Sequence, residues 1–328
     1  MTAKMKRRQF ITLLGGAAAA WPLVARGQQA GSIARIGLLW PGDAPPVSPR
    51  MEAFRQGLRA LGFIDGQNIA IELRYAQRGP EQLPELAAEL IRLKVDVIFA
   101  SGDLAPKVAQ QATETIPIVA ISDDILGAGV IASLSRPGGN TTGLTILSPE
   151  LSAKRLEVLR DITPGLSRVT ALWDPTTGAS QVTMTTSAAL SLNLKLHVLE
   201  VRRREDVAGA VRAARNSQAE ALNVFSSPFL ASLHREIIAF AADYRLPAIY
   251  QWKEHVEAGG LVSYGPNLAA IWRQAAIIVA KVLKGVKPTD LPVEQPTKFE
   301  LVMNLRTANS LGLSIPPSVL LRADEVIE

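Results

Sequence analysis

From Ile33 onward the chain alternates short apolar runs with stretches in which apolar residues recur every three or four positions. Ala34 to Trp40 (ARIGLLW) reads as a buried strand, stopped by Pro41-Gly42. Met51, Phe54, Leu58 and Leu61 then mark an amphipathic helix, and Ile69 to Tyr75 alternates as a second strand. Leu83, Leu86, Leu90 and Leu93 mark the next helix, and Val95 to Ala100 a third strand broken by Ser101-Gly102-Asp103. A helix over about 105–115 and a fourth strand from Pro117 to Ile121 follow. Strict alternation of strands and helices predicts a parallel sheet covered on both faces.

The stretch Thr115 to Leu147 closes this unit. Past its strand it carries Asp123 and Asp124, a run of small residues that predicts a helix toward Ser135, and the breaker Arg136-Pro-Gly-Gly-Asn140. A β-rich run, Thr141 to Leu147, ends it. The order then recurs. Arg168 to Trp173 with Asp174-Pro175 mirrors the first strand and its stop, and Lys195 to Val201 answers Ile69 to Tyr75. Ala221 to Phe225 before Ser226-Ser227-Pro228 answers the third strand and its breaker. Leu246-Pro-Ala-Ile-Tyr250 answers Ile116 to Ala120, and Gly259-Gly260-Leu-Val-Ser-Tyr264 answers the glycine-led strand at 138–144. Matches that keep one order predict an α/β chain with two similar Rossmann-like lobes, each built on a parallel sheet. A helix carrying Ile271, Ala275, Ile278, Val279 and Val282 follows, then a Pro-rich linker, Lys287 to Lys298, and a closing segment, Phe299 to Leu305. The expected division is residues 32–143 plus about 265–295 in lobe 1, and 144–264 plus about 296–328 in lobe 2, with a multi-crossing hinge if the tail returns over both.

Residues 1–27 have a different character. Lys4, Lys6, Arg7 and Arg8 precede an uncharged run, Ile11 to Ala25, that ends in small residues around Arg26-Gly27, the arrangement of an export signal cleaved near Gly27–Gln28. Arg7-Arg8-Gln9-Phe10-Ile11 fits the twin-arginine pattern. The run is short of the ~20 apolar residues a membrane span needs, and it contains Gly15, Gly16 and Pro22. This reading changes the meaning of the charge. The chain has 35 Lys plus Arg against 30 Asp plus Glu, and five of those bases, Arg26 included, lie in the signal, leaving 30 of each sign afterwards. No polybasic stripe remains, so nucleic acid is not an expected partner. Arg202-Arg203-Arg204 is the densest basic run and reads as a solvated strand end. The absence of cysteine removes disulfides, thiolate metal sites, cysteine nucleophiles and a lipid-bearing cysteine. The expected location is the periplasm, and the expected state a monomer.

Several motifs together resemble the ABC transporter substrate-binding family related to tryptophan- and tyrosine-binding proteins. They are Lys6-Arg-Arg-Gln-Phe-Ile-Thr-Leu-Leu-Gly-Gly-Ala17, Arg136-Pro-Gly-Gly-Asn140, Leu246-Pro-Ala-Ile-Tyr250, Glu257-Ala-Gly-Gly-Leu-Val-Ser-Tyr-Gly-Pro-Asn267 and Leu291-Pro-Val-Glu-Gln-Pro-Thr-Lys-Phe-Glu-Leu301. The resemblance spans essentially the whole chain. It implies a type I periplasmic-binding fold, a small solute such as an amino acid, an ABC permease as partner, no cofactor and no turnover. Where relatives read Gly-Asp-Pro, this chain has Asp123-Asp124-Ile125, a departure that can change that loop's shape and charge.

Competing chemistries find less support. Gly127-Ala-Gly-Val-Ile-Ala132 fits a dinucleotide pattern but follows the fourth strand rather than the first, and the acids before it would repel a pyrophosphate. No G-x-S-x-G elbow occurs, and His197, His234 and His255 lack metal-type spacing, reading as strand-edge, helix-surface and loop positions. A ligand-sensing regulator would need a DNA-binding segment where the export signal lies. In open parallel sheets ligands sit beyond the carboxyl ends of the strands. That rule selects Trp40, Pro41, Gly42, Ser101, Gly102, Asp103 and Asp124 from the first half. From the second it selects Trp173, Asp174, Ser226, Ser227, Tyr250, Gln251, Tyr264 and Asn267. Trp40 and Trp173 could equally be core, Asp103 a helix cap and Asp174-Pro175 a plain turn.

Overall fold

The structure is a computed structural model that describes residues 33–42 and 49–328. The export-signal reading of residues 1–27 falls outside the described residues. From Ile33 to Glu328 the chain forms one compact unit built on two sheets.

The first sheet runs β2 (Ile69–Tyr75), β1 (Ala34–Trp40), β3 (Val97–Ser101), β4 (Ile118–Ser122), β5 (Thr141–Thr145), all parallel. Helices α1 (Pro49–Ala60), α2 (Leu83–Arg92) and α3 (Leu104–Ala112) make the crossovers. Residues Ile36 to Trp40 of β1 are all buried, as a strand covered on both faces requires.

The second sheet is opened by α4 (Ser148–Ile162) and repeats the order with β6 (Arg168–Trp173), α5 (Ser180–Ser191), β7 (Lys195–Glu200), α6 (Asp206–Asn216) and β8 (Ala221–Val224). It continues through α7 (Pro228–Ser232), α8 (His234–Asp243), β9 (Ala248–Tyr250), α9 (Lys253–Glu257) and β10 (Val262–Gly265). Its spatial order is β7-β6-β8-β9-β10, extended by β11 (Glu300–Asn304) and β12 (Glu325–Ile327). Of these only β11 pairs antiparallel, against β10. Between them α11 (Leu305–Leu311) and α12 (Pro317–Leu320) close the chain.

The chain passes between the sheets three times. It leaves the first sheet at β5 for α4 and returns from β10 to α10 (Leu268–Leu283), whose buried face joins the core around β1 and β3. Glu294 bridges to Leu144 at the edge of the first sheet, and the chain then goes back to β11. The tail thus supplies one of the crossings.

The expected small-residue helix after Asp124 does not form: residues 125–129 are turns and 130–135 are bends and irregular chain. Asp124 accepts the Gly127 N–H at 2.9 Å and Gly129 sits at φ 69°, so local side-chain bonding and a left-handed glycine win over helix propagation.

Trp40 lies in the core, 6% exposed, its ring 5.6 Å from that of Trp272. Beside them Phe54 and Phe99 stack at 4.7 Å. Trp40→Ala is expected to cost about 3–5 kcal/mol of folding stability, read as a lower urea midpoint with an unchanged slope. An unaltered midpoint would show that this cluster does not hold α10 onto the first sheet.

Candidate functional site

Both sheets have the order 2-1-3-4-5, so each reverses direction between its first and third strands. Such a switch point leaves a crevice at the carboxyl ends, because neighbouring crossovers leave on opposite faces. The two crevices meet in one cavity of about 410 Å³. Its walls from the first sheet are Pro41 and Gly42 after β1, residues 76–81 after β2, and residues 102–104 after β3. The second sheet supplies Asp174, Thr176 and Thr177 after β6, residues 202–205 after β7, and Pro228, Phe229, Ser232 and Leu233 around α7.

Asp103 is 3% exposed and lines this cavity. It stands at the start of α3, yet its side chain makes no cap. Oδ1 instead accepts Ser122 Oγ at 2.5 Å and the backbone N–H groups of Asp123 and Asp124 at 2.9 and 3.2 Å. Oδ2 is buried with no hydrogen-bond partner among the described residues. Burial, reinforced by nearby Asp123, pushes the Asp103 carboxyl up to about 7 despite those three donors.

Asp123 lies behind it, 2% exposed, accepting Ser148 Oγ at 2.8 Å and bonded to the Ser226 side chain from the second sheet. Burial raises its pKa as well, with Asp174 adding to the rise and Arg155 opposing it. Arg155 of α4 is fully buried: Nε donates to the Tyr264 carbonyl at 2.8 Å and Nη1 to Ser152 Oγ at 3.2 Å. Burial works against its charge, and Asp123 offsets this. Asp174, 2% exposed, accepts the Thr176 N–H at 2.9 Å and Oγ1 at 2.8 Å, bonds the Ser227 side chain, and is also raised by burial.

Of the residues chosen by the strand-end rule, Pro41, Gly42, Gly102, Asp103 and Asp174 line the cavity. Ser101 is buried just beneath. Ser226 is buried with its backbone held by Gln181, whose Oε1 accepts its N–H at 2.9 Å and whose Nε2 donates to its carbonyl at 2.8 Å. Ser227 caps α7 by accepting the Leu230 N–H at 2.8 Å. The others sit off the wall. Trp40 belongs to the core, and half-buried Trp173 donates Nε1 to the Gly178 carbonyl at 3.0 Å. Asp124 closes its own turn on Gly127. Tyr250 is 1% exposed within the second sheet's core, and burial raises its pKa. Gln251 is buried with neither amide atom partnered among the described residues. Tyr264 contributes its carbonyl to Arg155, while Asn267 caps α10 by accepting the Ala270 N–H at 2.9 Å.

The sequence reading missed Leu104, Thr176, Thr177, Pro228, Phe229, Ser232 and Leu233, which flank residues it chose, and two whole wall segments, residues 76–81 and 202–205, although the same rule applied to the second strand of each unit points at those segments. Arg202, Arg203 and Arg204 are exposed, as a strand end predicts, but they stand on the cavity rim. Arg202 pairs with Glu200 at 2.6 Å, Arg203 with Asp206 at 3.8 Å, and Arg204 with Glu236. His255 is a buried residue of α9 rather than a loop position, its ring stacked 5.0 Å from that of His234. Among the described residues no group of three or more His, Cys, Asp or Glu could hold a metal ion, and no helix is long and apolar enough to cross a membrane.

Two duplicated sheets with a shared cavity at their switch points define a type I periplasmic-binding fold. A periplasmic binding protein from Burkholderia mallei shares that fold at 14% identity and TM-score 0.57, over 78% of this chain and 80% of its own. The chain belongs to the ABC transporter substrate-binding protein family, whose model matches residues 40–327. It is similar to a tyrosine-binding protein of Clostridioides difficile, 25% identical over 277 residues, 83% of this chain and 79% of that one. It is also similar to the ABC domain crystallised with L-Trp from Streptococcus pneumonia, at 25% identity and TM-score 0.83, covering 90% of this chain and all of that one. The protein is therefore a solute-binding protein of the ABC transporter type.

Proposed function

We propose that this protein is exported to the periplasm on a twin-arginine signal and captures an amino acid or related small polar or aromatic compound for an ABC import permease. It acts as a monomer and by binding alone, without turnover. The observation that carries this reading is the cavity of about 410 Å³ at the switch points of both sheets, walled by both, in a chain that crosses between the sheets three times. The size suits a small solute. The relatives that bind tyrosine and L-Trp support the amino-acid class.

The two sheets with their helices, residues 32–143 plus about 265–295 and residues 144–264 plus about 296–328, are the lobes that close on the solute. The closed form is what the permease recognises. Contacts such as Asp123 with Ser226 give closure specific polar partners across the lobes.

Purified exported protein is expected to melt about 5–10 °C higher with its solute at a hundred times the dissociation constant, since binding to the folded state alone adds roughly 2.7 kcal/mol. L-Tyrosine, L-tryptophan, other amino acids, sugars, amides and aromatic acids form the screen. A hit should also shrink the radius of gyration in small-angle scattering. A saturating hit that leaves that radius unchanged would refute lobe closure.

A further inference from the structure

The three chain crossings lie at one edge of each set of parallel strands, beside β5 and Glu294 in the first sheet and beside β10 and β11 in the second. The cavity extends toward the opposite edges, where residues 76–81 follow β2 and residues 202–205 follow β7. Between the crossings and those edges the two halves touch directly. Gly102 follows β3 and Pro228 follows β8, the middle strands of β2-β1-β3-β4-β5 and β7-β6-β8-β9-β10. A Cβ on Gly102 would lie 2.9 Å from Pro228 Cγ and 3.3 Å from Cδ. Gly42 stands beside them, its Cβ position 3.8 Å from the Pro228 carbonyl oxygen. All three residues line the cavity. Neither side of this contact is free to retreat. The Gly102 N–H donates to the Ile121 carbonyl at 2.8 Å, and Asp103 next to it is tied through Oδ1 to Ser122 Oγ and to two backbone N–H groups. Pro228 opens α7 under the Ser227 cap on Leu230, and both backbone groups of Ser226 are held by Gln181. Packed, hydrogen-bonded elements pass a displacement on instead of absorbing it, so the soft coordinate is the angle between the lobes.

We propose that Gly102 and Pro228 are the stop on which the lobes close, and that the lack of a side chain at 102 sets the closed angle and with it the space left for the solute. This rests on the reading of the cavity as the site of a solute-binding protein that closes. A side chain at 102 is then a wedge. Restoring ordinary carbon–carbon contact of about 3.5–4.0 Å parts the lobes by about 1 Å at the stop. The separation is larger at β2 and β7, which lie farther from the crossings. A gap of that size forfeits about a quarter to a half of each wall contact with the solute, so affinity falls by about tenfold or more.

The chain has no cysteine, so introduced cysteines react with one another alone. Gly102→Cys with Pro228→Cys brings two Cβ atoms within the separation of about 3.5–4.5 Å that a disulfide spans. Air oxidation of this solute-free double variant is expected to give an intramolecular crosslink, seen as faster migration in a non-reducing gel. A second arm measures the distance between spin labels on Glu85→Cys and Arg212→Cys, exposed positions on α2 and α6. The wedge in this arm is Gly102→Asn, because Gly102 sits at φ 81° and asparagine accepts a left-handed backbone. The shortest label separation should lengthen in Gly102→Asn and return when Pro228→Ala is added, since alanine removes the two ring carbons that the wedge meets. Titration calorimetry with L-tyrosine and L-tryptophan reads the same three chains for affinity.

A crosslink, a lengthened separation and its rescue by Pro228→Ala are the expected results. A double-cysteine protein of wild-type unfolding midpoint that does not crosslink overturns the stop, and where that chain does not fold the label separations decide. An unchanged separation in Gly102→Asn, or a lengthening that Pro228→Ala leaves in place, also overturns it. So does an amino acid that binds Gly102→Asn as tightly as the wild type. If the crosslink and the separations behave as expected and neither amino acid binds the wild type, the amino-acid reading falls and the stop stands.

Discussion

Arg155→Met is expected to lower folding stability by about 3–5 kcal/mol, because it leaves Asp123 as a buried charge with its compensating base removed. Arg155 is fully buried, and its Nε holds the Tyr264 carbonyl from the strand that leads into a chain crossing. The loss should depend on pH. Burial already raises the pKa of Asp123 above that of an unfolded aspartate, and removal of Arg155 raises it further. A carboxyl with a raised folded-state pKa favours the fold below its unfolded value near 4, and that contribution disappears as pH rises through the folded value. The variant should therefore lie closer to wild type at pH 5 than at pH 8, in urea unfolding followed by circular dichroism. An equal deficit at both pH values would mean that lost packing, not the uncompensated charge, is what Arg155→Met removes.

Gly143→Ala is expected to have the larger effect and to prevent folding, or to cost more than about 4 kcal/mol where folded protein is recovered. Gly143 sits inside β5 at φ 147°, and a Cβ there would lie 1.9 Å from the Ala120 carbonyl oxygen of β4. Neither contacting group can yield, since both belong to backbone paired in the sheet. Gly209→Ala is the contrast. That glycine lies within α6 with open space around its Cβ position, so alanine should stabilise the protein by roughly 0.5–1 kcal/mol. Soluble yield and unfolding midpoint of the two variants decide it. A well-folded Gly143→Ala protein of wild-type midpoint would show that β4 and β5 can separate to admit a side chain.

Apolar periodicity and turn residues are local properties, and they carried the order of strands and helices and the repeat of that order from Arg168 onward. The strand-end rule turns such an order into a wall, which is why Pro41, Gly42, Gly102, Asp103 and Asp174 were selected in advance and stand on the cavity. Side-chain direction and long-range partners are not local. Asp103 and Asp124 both follow strands and look alike in sequence, yet Asp103 lines the cavity with its Oδ1 bonded to Ser122 and to the backbone beyond the next strand, while Asp124 bonds its own turn. Trp40 and Trp173 end equivalent strands, but α10, more than two hundred residues after β1, brings Trp272 onto Trp40 and makes it core.

Arg155 shows the same division. On a helix pattern alone an arginine belongs to the solvated face. Its burial arises because the chain crossings bring Asp123 and the Tyr264 carbonyl to a guanidinium that Ser152, one turn away on the same helix, also holds. The sequence by itself determined the alternating α/β order, its duplication and the strand ends from which a site is built, because each rests on residues near one another in the chain. Only the tertiary structure decided which strand-end side chains face the cavity, that residues 76–81 and 202–205 complete its wall, and where buried acid outnumbers buried base. Those outcomes depend on the carboxyl ends of two sheets meeting at one cavity, and no window of sequence contains both.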